Sequence, residues 1–256
     1  MKKLLMFFKE FFQSWTVKSH KDAILLILFG LGFLSLFWLG MYLVDFRSIF
    51  GITSFRGFWW HAFRNRGPVE IMQWLVMSGV VITSSMIAGF HGARGERKER
   101  IFWILVAITF ALMVIEDAGD PRHIQGRYLR QFFGLHTIIV EAMFFGTMVL
   151  PIIYGFLRYW SVPFRIPETR LYLLLGGGLY AFAASTSLFR GFQGFYTNIG
   201  VRVSARFFGG EIPGFLLMDF VFEESVELMA GIIFLAGVWM YKNKVVRQGK
   251  EAAVEA

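Results

Sequence analysis

The chain has 256 residues and a net charge of +8, and 56% of its residues are hydrophobic, 31 of them phenylalanine. This apolar fraction exceeds that of ordinary soluble domains and indicates an integral membrane protein. The chain contains no cysteine, which excludes disulfides, thiolate metal ligands and cysteine nucleophiles. Its basic residues lie in short segments between apolar runs, a pattern that reports membrane topology rather than a nucleic-acid partner.

Residues 1–21 predict an amphipathic helix that lies on the membrane surface. Leu4, Leu5, Phe8, Phe12 and Trp15 recur at helical spacing, opposite two lysines and a glutamine. A helix with one apolar and one basic face lies in the plane of the interface. A signal peptide is disfavoured, because no small-residue cleavage site follows the first long apolar run.

Six apolar segments are long enough, or nearly so, to cross the hydrocarbon core, which needs about 20 residues per helix. They lie at residues 23–44, 69–90, 101–119, 135–157, 171–188 and 215–241. The polar stretches between them are only loop-sized. The sequence therefore predicts an all-α bundle of about six transmembrane helices over residues 22–241, followed by a tail at 242–256.

The distribution of charge predicts the orientation of these helices. Of the 26 basic residues, 16 lie in the N-terminal arm, in segments 91–100 and 158–170, and in the tail, and all nine lysines are among them. Eleven of the 18 acidic residues lie on the opposite side. The positive-inside rule then places both ends of the chain in the cytoplasm, with a bacterial inner membrane as the expected location and the lipid bilayer as the expected partner.

Carboxylates collect at the outer ends of several predicted spans. The third span ends in Glu116 and Asp117 after a fifteen-residue run that is too short to cross the core fully. An ionised carboxylate in lipid costs about 2.5–3.5 kcal/mol, so these groups should face each other, an arginine, water or a metal. Because successive helices alternate in direction, we expect the acids to converge at one depth. The candidate residues are Glu116, Asp117, His136, Glu141, Glu223 and Glu227, with Glu70, Asp120 and Glu224 as secondary members.

Three kinds of chemistry suit such a cluster. Carboxylates with one histidine are suitable ligands for a divalent metal ion. Crowded carboxylates share protons, which suits a proton relay. A metal-bound water could also serve a hydrolase inside the membrane. Haem, retinal and nucleotide sites are not expected, since no suitable histidine pair, mid-span lysine or phosphate loop is present.

Structural interpretations of the same residues remain open. Glu70 follows Gly67 and Pro68, a helix-start signature, and a glutamate in the first turn complements the helix dipole. The stripe of Asp219, Glu223 and Glu227 could pair with arginines of the outer loops. Under this interpretation the acids hold the bundle together and bind nothing from outside.

Several of these elements resemble a group of uncharacterised bacterial multi-span membrane proteins. That family carries a Glu-Asp-Gly-x-x-Glu start, a Glu-Glu pair, an Asn-Leu-His element and a final Glu-Glu-x-x-Glu. The matching elements here, within about residues 65–240, are Arg66-Gly67-Pro68 with Glu70, Glu116-Asp117, Leu135-His136 and Glu223-Glu224-x-x-Glu227. The chain departs from the pattern in its Glu-Asp pair and at Gly134, where the family has Asn. The resemblance implies a membrane protein with these site residues and carries no activity with it.

A second comparison, with CAAX-processing intramembrane proteases, fails on particular residues. That family combines Glu-Glu-x-x-x-Arg with Phe-x-x-x-His and a later histidine. Phe132 and His136 have the second spacing, but Leu228 stands where the arginine would follow the Glu223-Glu224 pair. No histidine follows His136.

Three functional hypotheses follow for an outward-facing site. In the first, the protein binds or moves a cation or protons through the acids and His136. In the second, it is a membrane enzyme, metal-dependent, that acts on a lipid-like, amphiphilic substrate. In the third, it is a scaffold subunit without catalysis, whose acids pair internally with arginine.

Overall fold

The computed structural model describes residues 17–49, 51, 57–64, 66–119, 121–189, 193–209 and 212–255. These residues form helices and contain no strand, which confirms the all-helical prediction for the described part of the chain. The helices are α1 (His20–Met41), α2 (Phe58–Phe63), α3 (Pro68–Ala93), α4 (Arg97–Gly119), α5 (Pro121–Phe133), α6 (Thr137–Tyr159), α7 (Pro167–Phe189), α8 (Gln193–Phe207) and α9 (Glu223–Glu255). The amphipathic helix predicted over residues 1–21 lies almost wholly outside the described residues.

Two π-helical segments extend the main helices. Tyr42–Phe46 continues α1, and Leu217–Phe222 connects a short turn, Gly214–Leu216, to α9. Single π-helical turns of this kind occur mostly inside α-helices and often lie near functional sites. The second segment leads directly into the acidic first turn of α9, which holds Glu223 and Glu224.

Four stretches of helix are long and apolar enough to cross a membrane. They are His20–Phe46, Phe58–Ala93, Arg97–Gly119 and Ala142–Tyr159. They fall on the first four of the spans predicted from the sequence. The remaining two predicted segments form α7 and α9, and α9 continues as helix to Glu255 through the predicted tail.

Contacts between loops and helix ends place four parts of the chain at one end of the bundle. This basic end holds the start of α1, the turn between α3 and α4, the start of α7 and the C-terminal half of α9. Its contacts are Asn243 Nδ2 to the Val17 carbonyl at 2.6 Å, Lys244 Nζ to Glu168 at 2.9 Å and Arg165 to Glu99 at 3.3 Å. Successive long helices therefore run in opposite directions, and the cytoplasmic location of this end stays a prediction.

Helix α9 lies at the centre of the bundle, packed against α7, α3 and α1. Its residues Leu228, Ala230, Val238 and Tyr241 are fully buried. Helix α4 packs on α3, and α6 packs on α4. The acidic start of α9 is thereby brought beside the first turns of α3 and the last turns of α4.

Helix α3 presents one buried stripe along its whole length. Its members, spaced by three and four residues, are Glu70, Gln73, Met77, Val80, Ser84, Ile87 and His91. This spacing is that of one helix face. The stripe carries polar side chains at both ends and, apart from Ser84, apolar ones in between, so α3 connects two chemically different regions of the interior.

Short helices occupy the stretches between spans that the sequence indicated only as loop-sized. Helix α2 begins where the backbone N–H groups of Phe58 and Trp59 donate to the Asp45 carboxylate, each at 2.7 Å. A side-chain oxygen that accepts from the first N–H groups of a helix acts as its cap. This cap comes from a residue 13 positions earlier in the chain, so local sequence signals could not predict it.

The packing of α7 on α9 depends on a close approach at Gly176. A Cβ at this position would lie 2.6 Å from the backbone nitrogen of Phe234, so the two helix backbones are in direct contact. Small residues permit this approach between helices. A Cβ added to Gly178, two residues later in α7, would have no neighbouring atom within 4 Å, so this glycine provides a matched control.

We expect Gly176→Ala to lower the free energy of unfolding by roughly 1–3 kcal/mol, because the α9 backbone cannot move aside locally. Gly178→Ala should leave the stability unchanged or raise it slightly, since alanine favours a helix. Denaturant titration of purified protein in detergent, followed by tryptophan fluorescence, measures both. Equal stability of the two variants would contradict the close contact of α7 and α9.

Candidate functional site

The site is organised by Gln73, which lies on α3 and is 1% exposed. Its side-chain Nε2 donates to Glu227 Oε2 on α9 at 2.6 Å and to Asp117 Oδ2 on α4 at 3.3 Å. One amide group therefore connects carboxylates from two other helices. Hydrogen bonds from an amide to a charged or partly charged oxygen are stronger than those between neutral groups.

Further carboxylates surround this bridge. Asp117 interacts electrostatically with Glu227, Glu116 and Glu70. Glu224 interacts in the same way with Glu227, Asp117, Glu70 and Glu223. The structure thus brings these predicted residues together at the end of the bundle opposite the basic end. We call them the acidic cluster: Glu70, Glu116, Asp117, Glu223, Glu224 and Glu227.

Two members of the acidic cluster are almost completely buried. Glu70 is 5% exposed and Glu223 is 4% exposed. The Glu70 carboxylate accepts a hydrogen bond from the backbone N–H of Arg66, just before α3 begins. The Tyr196 hydroxyl, on α8, donates to Glu223 Oε2 at 3.2 Å. Glu70 therefore has the helix-start role that its sequence position indicated, and it belongs to the acidic cluster as well.

Other polar atoms at the site are buried and make no hydrogen bond to any described residue. They are Gln73 Oε1, Glu224 Oε2 and the Tyr180 hydroxyl. Tyr180, on α7, interacts electrostatically with Glu227 and Asp117. A buried polar atom without a partner is costly, so such atoms call for a ligand, a proton or water.

Gln73, Tyr180 and Tyr196 are site residues that the sequence analysis did not select. Gln73 carried a usable signal, because it lies three positions after Glu70 on the same face of an otherwise apolar span. The two tyrosines carried no such signal. Tyrosine is common near membrane interfaces, and only packing brings these two beside the acids.

The remaining candidates have different positions. His136 is exposed just before α6, and its backbone carbonyl accepts from the N–H groups of Ile139 and Val140 at 3.0 and 3.2 Å. It does not share the buried surroundings of Gln73. Glu141 lies within the first turns of α6, and its side chain, like all of Asp120, is outside the described residues.

Among the described side chains, no group of three or more histidines and carboxylates is arranged to hold a metal ion. The predicted metal site thus stays a prediction, because Glu141 and Asp120 belong to it. What the described residues provide is a set of carboxylate oxygens, one amide and two phenol groups in a largely buried space. Such a set can hold protons or a cation that prefers oxygen ligands.

No family model, curated protein or solved structure significantly matches this chain. The resemblance to bacterial multi-span membrane proteins therefore stays a prediction. The chemistry of the site follows from its own geometry.

We expect Gln73→Leu to lower the free energy of unfolding by about 1–3 kcal/mol, because it removes a buried donor from two carboxylates. Gln131→Leu, at an exposed position of α5, is the control and should stay within about 0.5 kcal/mol of the wild type. Chemical denaturation in detergent measures both variants. If Gln73→Leu unfolds at the same denaturant concentration as the wild type, the hydrogen bonds to Asp117 and Glu227 contribute nothing to stability.

Proposed function

We propose that this chain is a six-span protein of a bacterial inner membrane whose acidic cluster binds protons or a cation from the outer side. The bridge from Gln73 to Asp117 and Glu227 carries the proposal. Two ionised carboxylates that accept hydrogen bonds from the same amide repel each other unless a positive charge lies between or on them. A bound proton or a bound cation supplies that charge.

The orientation rests on the contrast between the two ends of the bundle. The acidic cluster lies at the end of the bundle opposite the basic end. Five lysines belong to segments at the basic end: Lys18, Lys21, Lys98, Lys242 and Lys244. Lys and Arg are retained on the cytoplasmic side of membrane proteins. The acidic cluster then faces the outer side, where it is in reach of external protons and cations.

The buried atoms of the acidic cluster support binding in particular. Glu224 Oε2 is buried and has no hydrogen-bond partner among the described residues. The Tyr180 hydroxyl is likewise buried and makes no hydrogen bond to a described residue. An ionised oxygen left in this state is strongly disfavoured in an apolar interior. A proton on Glu224, or a cation between it and its neighbours, removes the penalty.

The apolar middle section of α3 favours binding of a cation over its transport through the membrane. Inward from Gln73, the buried stripe continues with Met77 and Val80, both fully buried and apolar. A polar path for a cation would require oxygen atoms at this level. We therefore propose a site that loads and unloads toward the outside.

Bound protons are tested by infrared spectroscopy of the purified protein across a pH series. We expect a carboxylic C=O stretching band that persists at neutral pH and weakens in Glu227→Gln and Asp117→Asn, because each removes a carboxyl group of the cluster. Glu251→Gln is the control, since Glu251 is 56% exposed and lies at the basic end. A band of equal strength in all four proteins would count against proton binding.

A bound cation is tested by thermal unfolding with added Mg²⁺, Ca²⁺, Mn²⁺ or Zn²⁺. If a cation occupies the acidic cluster, it raises the unfolding temperature of the wild type and of Glu251→Gln. The rise should disappear in Glu227→Gln and shrink in Glu141→Gln, whose carboxylate belongs to the predicted metal set. Absence of both the infrared band and any cation effect would contradict the proposal and favour internal pairing of the acids with arginine.

A further inference from the structure

A second site lies at the basic end, far from the acidic cluster. It is a cavity of about 620 Å³ between α3, α9 and the residues that precede α1. The lysines Lys18 and Lys242 line it, together with Met86 and Phe90 from α3. From Gln73 to Phe90 along α3 is about 25 Å at 1.5 Å per residue, so the two sites are at opposite membrane faces.

The cavity is positively charged. Its lining contains four cations and, among the described residues, no carboxylate. Lys244 and Arg247 reach carboxylates outside the lining, Glu168 at 2.9 Å and Glu251 at 2.8 Å. Within the described part of the chain, neither Lys18 nor Lys242 forms such an ion pair, although Lys18 also interacts electrostatically with Asp22 in the first turn of α1. Neither ammonium group is therefore held by a carboxylate at ion-pair distance, and both can contact an anion in the cavity.

The floor of the same cavity is apolar. Met86 is 54% exposed, and Ile87, Phe90, Val245 and Val246 line the space beside it. Met86 and Phe90 share one face of α3, and this part of α3 belongs to a helix apolar enough to cross a membrane. A soluble anion would gain nothing from this floor, whereas an acyl chain would bury it.

We infer that this cavity binds an anionic phospholipid of the cytoplasmic leaflet. Its phosphate would lie between Lys18 and Lys242, and one acyl chain would cover Met86, since the Arg94 guanidinium already lies 4.2 Å from the centroid of the Phe90 ring. Basic pockets between helices on the cytoplasmic side are suited to anionic head groups. The volume falls in the range of small-molecule sites, well above that of a phosphate alone. The inference rests on the membrane location proposed above and is independent of what the acidic cluster binds.

The test uses the full-length protein in a neutral detergent, with added dioleoyl phosphatidylglycerol or dioleoyl phosphatidylcholine. Native mass spectrometry measures lipid retention, and thermal unfolding measures stabilisation. The wild type should retain phosphatidylglycerol in preference to phosphatidylcholine and be stabilised by it. Each basic residue near the head group contributes roughly 1 kcal/mol, which corresponds to about a fivefold change in affinity. The double variant Lys18→Gln with Lys242→Gln should therefore retain less phosphatidylglycerol than the wild type, by about fivefold for each lysine replaced.

Two controls separate charge at the cavity from charge in general. Lys21→Gln with Lys98→Gln removes two exposed lysines of the same end that do not line the cavity, and it should behave as the wild type. Lys18→Arg with Lys242→Arg keeps the positive charge and should keep the lipid. Unfolding temperatures without lipid establish that each variant is folded.

Several outcomes would overturn the inference. Equal retention of the two lipids by the wild type is one, and an undiminished response in the Lys18 and Lys242 double variant is another. Stabilisation of the same size by inorganic phosphate would assign the cavity to a soluble anion instead. Glu227→Gln should keep its phosphatidylglycerol response, so a failure of the acidic cluster proposal leaves this result unaffected.

Discussion

The hydrogen bonds of Gln73 hold the acidic end of this bundle together. One buried amide on α3 donates to carboxylates on α4 and α9 and so joins three helices. In an apolar interior a bridge of this kind is strong when complete and costly when broken. The positions of Glu70, Glu116, Glu223 and Glu224 follow from it, because they lie on the same helices within a turn or two of the bridged residues.

Polar contacts of the same kind fix α9 along its length. The indole N–H of Trp239 donates to Thr83 Oγ1 at 2.8 Å, and that of Trp38 donates to Ser225 Oγ at 3.1 Å. These bonds set the rotation of α9 against α3 and α1, while close contact at Gly176 sets its distance from α7. Apolar packing alone is not directional, so the few hydrogen bonds decide which face of α9 points at the acids.

The two ends of the molecule have opposite chemistry. The acidic cluster is buried and held by neutral donors, which suits the capture of small positive species. The basic end has exposed ion pairs and a lysine-lined cavity over an apolar floor, which suits the head groups and chains of anionic lipid. The apolar section of α3 at Met77 and Val80 separates them, so the two sites can act independently.

Much of the fold was predictable from the sequence. The long apolar runs placed the first five main helices to within a few residues, because a helix that buries its backbone polar groups in lipid must be long and apolar throughout. The last predicted span, 215–241, instead forms a π-helical segment followed by α9, which ends at Glu255. The charge distribution predicted that both ends of the chain are cytoplasmic, and this orientation stays a prediction. The short helix α2 was missed, since its cap, Asp45, lies 13 residues before it in the chain.

The acidic residues were also predictable, since carboxylates in apolar spans are costly and must have a reason. The convergence of Glu70, Asp117 and Glu227 was expected from alternating helix directions and is present in the structure. The partners of these acids were decided by tertiary structure alone. Sequence determines the position of a residue along its helix, but the rotation of the helix and its neighbours depend on packing. Packing places Gln73 and Tyr180 among the acids and leaves His136 exposed.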